Sequence, residues 1–162
     1  SNSRARLSGD ANANKLYGNN GNDVLVGLGG ADMLYGGNGD DRLSGGGGTD
    51  TMVGGAGADS FLFYVALNIA GSDRISDFVH GVDKLEIDAS EFGGGLVGGG
   101  SVQLVAGATP SSAGFASGVF LYDTDNGYLS FDVNGQAAGG ATVFARLSGA
   151  PTLTTGDFVV VA

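Results

Sequence analysis

GGNGDDRLS at residues 36–44 and GGAGADSFL at residues 54–62 share one pattern: glycine at positions one, two and four, aspartate at position six and an apolar residue at position eight. Counting in steps of nine from Gly9 gives six consecutive units, the last of which ends at Leu62. Aspartate fills position six in five of the six units, and every unit has an apolar residue at position eight. A period this short and regular indicates a coil of stacked units, each packed against its neighbours.

Each unit predicts a very short strand of about three residues centred on position eight, such as Val24-Leu25-Val26, whose central side chain points inward. The remaining residues turn the chain, and we expect the glycines at positions one and four to supply the positive φ angles of these turns. Successive units then fall on opposite sides of a flattened coil, so that unit n stacks on unit n+2. The inward column consists of Leu16, Leu25, Leu34, Leu43, Met52 and Phe61.

The aspartate column predicts a metal site between stacked turns. Of the 17 acidic residues 15 are Asp, and the stacking would bring two position-six carboxylates together with several backbone carbonyls. Carboxylates this close repel one another unless a cation lies between them. An all-oxygen shell of about six ligands suits Ca²⁺. A preference of Asp and Gly for turns does not by itself place them in a nine-residue column.

These units resemble the RTX (repeat-in-toxin) calcium-binding nonapeptide. The resemblance implies a parallel β-roll with several Ca²⁺ ions between its turns, held by position-six side chains and by the carbonyls of positions one, two and four. The position-six residues are Asn14, Asp23, Asp32, Asp41, Asp50 and Asp59. The carbonyl donors would be Gly18, Asn19, Gly21, Gly27, Leu28, Gly30, Gly36, Gly37, Gly39, Gly45, Gly46, Gly48, Gly54, Gly55 and Gly57. The first unit departs from the pattern, because Asp10, Asn12 and Asn14 replace Gly, Gly and Asp, so we expect its site to be incompletely occupied.

The fold class predicted for the whole chain is all-β. Residues 1–8 are expected to form an N-terminal tail or a cloning remnant, residues 9–62 the β-roll, and residues 63–162 an antiparallel, β-sandwich-like region that caps it. Within that region, apolar alternation predicts strands at 61–65, twice within 71–87, and at 102–105, 118–122, 128–132 and 142–147. Turns at 123–127 and at Asn134-Gly135 would form hairpins, and residues 88–92 predict one helical turn.

The segment after the repeats resembles its counterpart in serralysin-type secreted proteases, where a D-x-I-x-D-F…G-x-D-x-L pattern caps the roll. The resemblance implies that Asp73 is a ligand of the last Ca²⁺, and Asn68, nine residues after Asp59, is a further candidate. For Asp77 and Asp83 the sequence leaves two interpretations open, either metal ligands or turn and N-cap residues.

The chain ends in GDFVVVA at residues 156–162, one acid followed by a short apolar run. This ending predicts a final strand. It also resembles the uncleaved C-terminal signals of type I secretion substrates, which implies a type I secretion apparatus as partner and an extracellular location. Residues 1–8 lack the apolar core of a signal peptide, so we do not expect an N-terminal signal in this segment to export the protein.

The composition argues against several other classes of function. The absence of Cys removes disulfides, zinc thiolates and thiol catalysis, and a net charge of -10 argues against nucleic-acid binding. No apolar run reaches the roughly 18 residues of a membrane-spanning helix. His80 is the only histidine, and neither an H-E-x-x-H motif nor a nucleophile elbow accompanies it. Residues 123–127 are interpreted as a hairpin turn, with a weak surface Ca²⁺ site as the alternative.

The sequence therefore predicts a non-catalytic Ca²⁺-binding module that serves the folding and export of a larger secreted bacterial protein. A calcium-dependent polysaccharide-binding or adhesion module is the alternative, with a surface polysaccharide as its partner. The acidic charge disfavours direct contact with an acidic polymer unless Ca²⁺ bridges the two.

Overall fold

Strands make up almost all the regular structure of this chain. The computed structural model describes residues 3–64, 71–112, 114–115, 117–134 and 140–162. In this part of the chain the strands are β1 (Arg6–Ser8), β2 (Lys15–Asn20), β3 (Val24–Gly29), β4 (Met33–Asn38), β5 (Arg42–Gly47), β6 (Thr51–Ala56), β7 (Ser60–Phe63), β8 (Asp73–Ile75), β9 (Lys84–Asp88), β10 (Leu104–Gly107), β11 (Val119–Asp123), β12 (Tyr128–Asp132), β13 (Ala141–Leu147) and β14 (Phe158–Val161). One helical turn, α1 (Ala89–Phe92), and a 3-10 turn at Thr155–Asp157 accompany them. The all-β prediction is confirmed.

Successive strands of the repeats alternate between two facing sheets. Sheet A has the order β1-β3-β5-β7-β9-β14, and sheet B has the order β10-β11-β12-β13-β8-β6-β4-β2. Within the repeats neighbouring strands are parallel and offset by 18 residues, as in the pairs Leu25 with Leu43 and Leu34 with Met52. Unit n therefore stacks on unit n+2, as the nine-residue period predicts.

The interior of the roll is the column of position-eight side chains. Leu25, Leu43 and Phe61 from sheet A and Leu34 and Met52 from sheet B are fully buried. Burial of one such side chain contributes roughly 1.5–3 kcal/mol, and each unit adds only one. The stability of the roll therefore depends on the number of stacked units and on what holds their turns together.

The repeat strands are longer than the sequence predicts. β2 to β6 each contain six residues, positions seven to nine followed by positions one to three of the next unit. The parallel pairing continues past position eight, as in Leu28 with Gly46. The prediction of three-residue strands is therefore wrong, because the residue at position two adopts a positive φ angle and still remains paired within the sheet.

The positive φ angles lie at positions two and four. Position two has φ 76° at Asn19 and 79° at Leu28, and the glycines at 37, 46 and 55 share this conformation. Position four has positive φ at Gly21, Gly30, Gly39, Gly48 and Gly57. No position-one glycine of the six units does so, which corrects the expectation for position one. Position one requires glycine for a steric reason, because a Cβ there would clash with the aspartate of the same turn.

Part of the predicted N-terminal tail belongs to the roll. Arg6–Ser8 forms β1 and pairs in parallel with Val24, Leu25 and Val26 of β3. Leu7 precedes Leu16 by nine residues, so it extends the position-eight column by one unit. The expectation of a tail over residues 1–8 is therefore wrong for Arg6–Ser8.

The C-terminal region continues both sheets of the roll. β13 pairs in parallel with β8, and β14 pairs in parallel with β9. β10 is also parallel to β11, and among the described residues antiparallel pairing joins only β11 with β12 and β12 with β13, so the expected antiparallel region is mixed. Residues 123–127 connect the first of these pairs as the predicted hairpin. The turn proposed at Asn134-Gly135 lies partly outside the described residues.

An aromatic cluster fills the space between the two sheets beyond the repeats. Phe92 from α1 packs edge-on against Phe131 and Phe144, with ring centroids 5.5 and 5.1 Å apart. Phe120 contacts Phe158 of β14 at 4.9 Å. The last strand is therefore part of the core. Within the described residues, no helix has both the length and the apolar character needed to cross a membrane.

Leu28→Gly should stabilise the roll. Leu28 is 46% exposed and has φ 79°, a conformation that costs a residue with a Cβ about 1–2 kcal/mol. After allowing for the greater freedom of glycine in the unfolded chain, we expect the free energy of unfolding to rise by about 0.5–1 kcal/mol. Urea unfolding in saturating Ca²⁺ measures the change. Ala31→Gly is the matched control, because Ala31 is exposed in the next turn without positive φ; it should destabilise. A loss of stability in Leu28→Gly would contradict the assignment of strain.

Candidate metal centre

Position-six side chains form hydrogen-bonded ladders along the roll. Asp23 N donates to Oδ1 of Asp41 at 2.7 Å, and Asp41 N donates to Oδ1 of Asp59 at 2.9 Å. On the other side Asp32 N donates to Oδ1 of Asp50 at 2.8 Å. Each link joins residues 18 apart, so every carboxylate fixes the turn of the unit stacked before it.

The second oxygen of these carboxylates is buried without a hydrogen-bond partner. This applies to Oδ2 of Asp23, Asp32, Asp41 and Asp50. Buried carboxylate oxygens without a partner are rare in folded proteins, because their desolvation costs free energy that nothing offsets. Four equivalent cases at one repeat position suggest a ligand common to these turns, and a cation can coordinate such oxygens.

The position-one glycines leave room beside these oxygens. A Cβ on Gly18 would stand 2.6 Å from Oδ2 of Asp23 and 2.5 Å from the carbonyl oxygen of Gly36, one turn further along the stack. Gly27 and Gly36 face the same two kinds of atom, whereas Gly54 faces only the side chain of Asp59. Glycine is therefore needed at position one because the aspartate side chain folds back over it, and a space lined by a carboxylate and a carbonyl oxygen results.

Carbonyl oxygens of positions two and four point along the stack. A Cβ on Gly37 would clash with the carbonyl of Asn19, and one on Gly39 with the carbonyl of Gly21. The same relation joins Gly46 to Leu28 and Gly48 to Gly30. The structure thus places position-one carbonyls beside the position-six carboxylates, whereas the carbonyls of positions two and four lie against the same positions of the next turn. Their ligation of metal stays a prediction.

The donor set fits a hard cation such as Ca²⁺. Among the described residues, no three His, Cys, Asp or Glu side chains lie close enough together to hold a metal without other ligands. Most ligands would therefore come from backbone carbonyls, which suit Ca²⁺ and its variable geometry. Zn²⁺ would need nitrogen or sulfur ligands, which these turns do not provide.

Burial raises the pKa of the aspartates in the middle of the roll. The pKa of Asp50 and that of Asp59 rise to about 6, because desolvation and the neighbouring carboxylates outweigh the stabilising backbone hydrogen bonds. Burial and nearby carboxylates also raise the pKa of Asp41. Burial and, to a smaller extent, the neighbouring carboxylates thus disfavour the charged form of these side chains, which a proton or a bound cation would offset.

The first turn of the array is closed by its own side chains. Oδ1 of Asn14 accepts from Asp10 N at 2.7 Å, and Oδ1 of Asp10 accepts from Asn12 N at 2.8 Å. Asn14 N still donates to Oδ1 of Asp32, as in the later units. An amide at position six cannot supply a charged ligand, and the incomplete occupancy expected for this site stays a prediction.

Asp73 continues the ladder beyond the last repeat. Its Oδ1 accepts from Asp50 N at 2.9 Å across a gap of 23 residues. Asp73 is buried, and desolvation raises its pKa to about 8. The side chain therefore has the place of a position-six residue, which supports its predicted role as a ligand. Asn68 lies outside the described residues.

Asp77 and Asp83 cap the roll through backbone hydrogen bonds. Oδ1 and Oδ2 of Asp77 accept from Gly54 N and Gly55 N at 2.9 and 2.8 Å. Asp83 accepts from Asp59 N and from Val79 N at 3.0 and 2.7 Å. Both oxygens of each side chain are occupied, which favours the turn and capping interpretation over metal ligation. Sequence reasoning missed that Asp83 is the last rung of its ladder, although Asp83-Lys84-Leu85 repeats the spacing of positions six to eight.

Two further acidic sites, at Asp123 and Asp157, are structural hydrogen-bond networks. Asp123 accepts from Asp125 N and from the side-chain nitrogen of Asn126, as in a hairpin turn. Asp157 is buried and accepts from Gly81 N, Thr154 N and Nδ1 of His80. Burial raises the pKa of Asp157, but these hydrogen bonds outweigh burial and lower it overall. This ion pair anchors the start of β14.

The repeats match a known sequence family. Residues 4–34 and 26–61 match the RTX calcium-binding nonapeptide repeat, in four copies. Residues 4–61 are an array of RTX repeats. The match covers both ladders up to Asp59, and the RTX nonapeptide repeat is a calcium-binding repeat.

Two solution structures from the Azotobacter vinelandii mannuronan C5-epimerase are similar to this chain. The AlgE6R3 subunit is 25% identical, with 98% of this chain and 80% of that chain covered and a TM-score of 0.36. The AlgE6R2 subunit is 25% identical, with 95% and 91% covered and a TM-score of 0.40. No curated protein matches the chain.

Gly27→Ala should abolish one metal site. The new methyl group would clash with Oδ2 of Asp32 and stand 2.6 Å from the carbonyl oxygen of Gly45. We expect the roll to lose about 2 kcal/mol of stability in Ca²⁺ and to bind fewer ions. Gly29→Ala is the matched control, because a Cβ there meets atoms only at 3.8 and 3.9 Å. Calorimetric titration with Ca²⁺ measures the number of ions that each variant binds. An equal number in the two variants would contradict a metal site beside Gly27.

Metal-free protein should gain β structure on acidification. The folded-state pKa values of Asp50 and Asp59, about 6, lie above the ordinary value of 3.8. The folded state therefore binds more protons, and its stability is lost as pH rises from about 4 to about 6, with a further loss towards pH 8 from Asp73. Circular dichroism in metal-depleted buffer should show more β structure at pH 5 than at pH 8. In saturating Ca²⁺ the order should reverse; a metal-free signal that increases with pH would refute this assignment.

Proposed function

We propose that this chain is a non-catalytic module that folds when Ca²⁺ binds, as part of a larger secreted bacterial protein. One observation carries the proposal: four buried position-six carboxylates each have an oxygen without a partner, facing glycines that leave room for a ligand. A structure held only by side-chain packing would not retain such oxygens, because each costs free energy. The RTX match of residues 4–61 supports calcium as that ligand.

The residues that would hold the metal are those of the two ladders with the carbonyls of positions one, two and four. Bound Ca²⁺ supplies the positive charge that offsets the paired carboxylates. Without it, Asp41, Asp50 and Asp59 are buried at raised pKa values, so the folded state is disfavoured at neutral pH. The inward column offers only one apolar side chain per unit to compensate. The array then behaves as an extended, glycine-rich chain.

The difference in calcium concentration across the cell envelope would determine on which side of the envelope the chain folds. A ligand that binds only the folded state stabilises it by about 2.7 kcal/mol per site at a hundred times its Kd. Several sites along one stack would act together, because each unit requires its neighbours. An unfolded chain inside the cell suits passage through a type I secretion apparatus, and folding outside would follow.

The C-terminal ending supports this proposal through its composition. Asp157 precedes the apolar strand β14, which matches the pattern of type I secretion signals noted in the sequence. In the folded protein Phe158 and Val160 are buried and Asp157 is anchored by His80. A secretion apparatus would therefore have to recognise this segment before the chain folds, which agrees with export in the unfolded state.

Removal of one charged side chain tests whether folding depends on calcium. Asp41→Asn keeps an acceptor for Asp23 N but removes the charged ligand, whereas Asp40→Asn removes the same charge from an exposed neighbour. In a titration followed by circular dichroism, wild type should be largely unstructured in chelator and gain β structure with Ca²⁺ but poorly with Mg²⁺. Asp41→Asn should raise the midpoint by roughly tenfold or more, and Asp40→Asn should leave it nearly unchanged.

The position of Asp41 in the stack predicts how strongly its substitution weakens Ca²⁺ binding. It has aspartates on both sides in its ladder, Asp23 and Asp59, whereas the preceding neighbour of Asp23 is Ala5. Asp41→Asn should therefore weaken Ca²⁺ binding more than Asp23→Asn. Identical spectra with and without Ca²⁺ would refute the folding switch, and equal losses in the two variants would count against shared sites.

Export is tested with a passenger protein fused to the N-terminal end of the chain. Deletion of residues 157–162 should abolish its release into the medium of a host with a type I apparatus. The control is deletion of residues 36–53, two whole units, which keeps the alternation between sheets and leaves the ending intact. That control should be released but need more Ca²⁺ to fold. Full release of a passenger that lacks residues 157–162 would exclude the ending as the signal.

A further inference from the structure

Asparagine followed by glycine recurs at equivalent places along one edge of the roll. Asn20-Gly21 and Asn38-Gly39 fill positions three and four of two units that stack on each other, 18 residues apart. The two asparagines are in register as the last residues of β2 and β4, and both are exposed. The unit between them has two glycines at these positions, Gly29-Gly30, and its turn lies at the opposite edge.

An Asn-Gly dipeptide carries its own nucleophile and its own leaving group. The main-chain nitrogen of the glycine bonds to Cγ of the asparagine, the Cγ–Nδ2 bond breaks, and the amide proton leaves with the NH₂ group as ammonia. Water then opens the cyclic imide at either carbonyl, which gives aspartate or isoaspartate. Glycine permits the reaction best because no Cβ obstructs the approach, and water is the only co-reactant.

The folded roll occupies both attacking nitrogens. Gly21 N donates to the carbonyl oxygen of Asn38 at 2.8 Å, and Gly39 N donates to the carbonyl oxygen of Ala56 at 2.8 Å. Each acceptor belongs to the next unit on the same side of the stack. A nitrogen held in this way can attack only after its turn has separated from the next one, so the rate of reaction follows the opened fraction.

The side-chain amides are engaged as well. Nδ2 of Asn38 donates to Oδ1 of Asn20 at 2.7 Å, across the two stacked units. This bond must break before Cγ of either asparagine can approach the nitrogen of its own glycine. Stacking of the units therefore protects the attacking group and the attacked group together.

The Asn-Gly dipeptide of the C-terminal hairpin is protected in another way. Gly127 N donates to the carbonyl oxygen of Asp123 at 2.9 Å, and Nδ2 of Asn126 donates to Oδ2 of the same aspartate at 2.8 Å. Both acceptors lie within the same turn, so contacts between units do not contribute. A fourth dipeptide, Asn134-Gly135, lies partly outside the described residues.

We propose that Asn20 and Asn38 are deamidation sites that become reactive only when the units of the roll separate. The sites rest on the proposed function in one respect, because removal of Ca²⁺ is what would separate the units. Chemical change of an unfolded chain makes its unfolding irreversible. The two asparagines thus limit the time that the chain can spend without Ca²⁺ and still fold.

Reaction at Asn38 would damage the stack through either product. Aspartate lacks Nδ2, so the donor to Oδ1 of Asn20 is lost and a carboxylate oxygen lies beside another acceptor. Isoaspartate adds one carbon to the main chain and removes from it the carbonyl that accepts from Gly21 N. Both products weaken the contact between units whose position-six residues, Asp23 and Asp41, belong to one ladder.

Peptide mass spectrometry of the full chain measures the deamidation directly, after incubation near neutral pH in Ca²⁺, in chelator and in concentrated urea. Circular dichroism of each sample shows whether it is folded. In folded samples Asn20 and Asn38 should react at least roughly tenfold more slowly than in urea, and in chelator they should react about as fast as in urea. Equal rates in folded and urea-unfolded protein, or no reaction in urea, would overturn the sites. A chain that stays folded in chelator would contradict the proposed function instead, and the comparison with urea would still decide the sites.

Recovery of structure gives a second readout. After long incubation in chelator, Ca²⁺ should restore less β structure to wild type than to Asn20→Gln/Asn38→Gln, each compared with its own fresh sample. Glutamine keeps the amide but reacts much more slowly, because a six-membered imide would have to form. Asn126→Gln is the matched control and should lose recovery as wild type does. Equal loss in wild type and in Asn20→Gln/Asn38→Gln would overturn the proposed time limit.

Discussion

The structure depends on one hydrogen bond that recurs every 18 residues, from the backbone N–H of a position-six residue to Oδ1 of the next aspartate in its ladder. It fixes the height and register of each turn on the turn below it. It also commits only half of each carboxylate, so that Oδ2 is left buried beside a glycine and among carbonyl oxygens. The same side chain that aligns the stack thus makes metal-free stacking unfavourable. The register of the stack and the proposed calcium dependence have a common origin in this geometry.

The nine-residue period predicted what is local and periodic: the position-eight column, the parallel pairing 18 residues apart and the column of position-six aspartates, but not the hydrogen bonds that link these aspartates. It did not predict which glycines have positive φ, because Gly27 and its equivalents are required by contact with Asp32 and its equivalents and with the next turn, not by their own torsion angles. It also did not predict the mixed pairing after the repeats. β14 joins β9 and β13 joins β8 across about 70 residues, and such partners cannot be read from alternation of apolar residues.

Charge in this molecule is sorted by repeat position. Position six places aspartates inside the turns, whereas position seven, one residue later, faces outward and contains Arg6, Lys15 and Arg42. At Asp73-Arg74 and Asp83-Lys84 the same order continues after the repeats end. The acidic composition therefore describes the interior of the turns better than the sheet surfaces, and a net charge taken from the whole sequence is a poor guide to what each face can contact.

The order of strands in sheet A has a mechanical consequence. β1 and β14, the first and last strands of the described chain, form its opposite edges. Tension applied between them would act along the inter-strand hydrogen bonds, which run in the direction of the roll axis, so the bonds of one strand at a time would carry the load. Such a sheet peels at modest force, whereas strands pulled along their length must break many bonds at once. A tethered roll of this design would lengthen in small steps, one turn after another, and shorten again as each turn refolds.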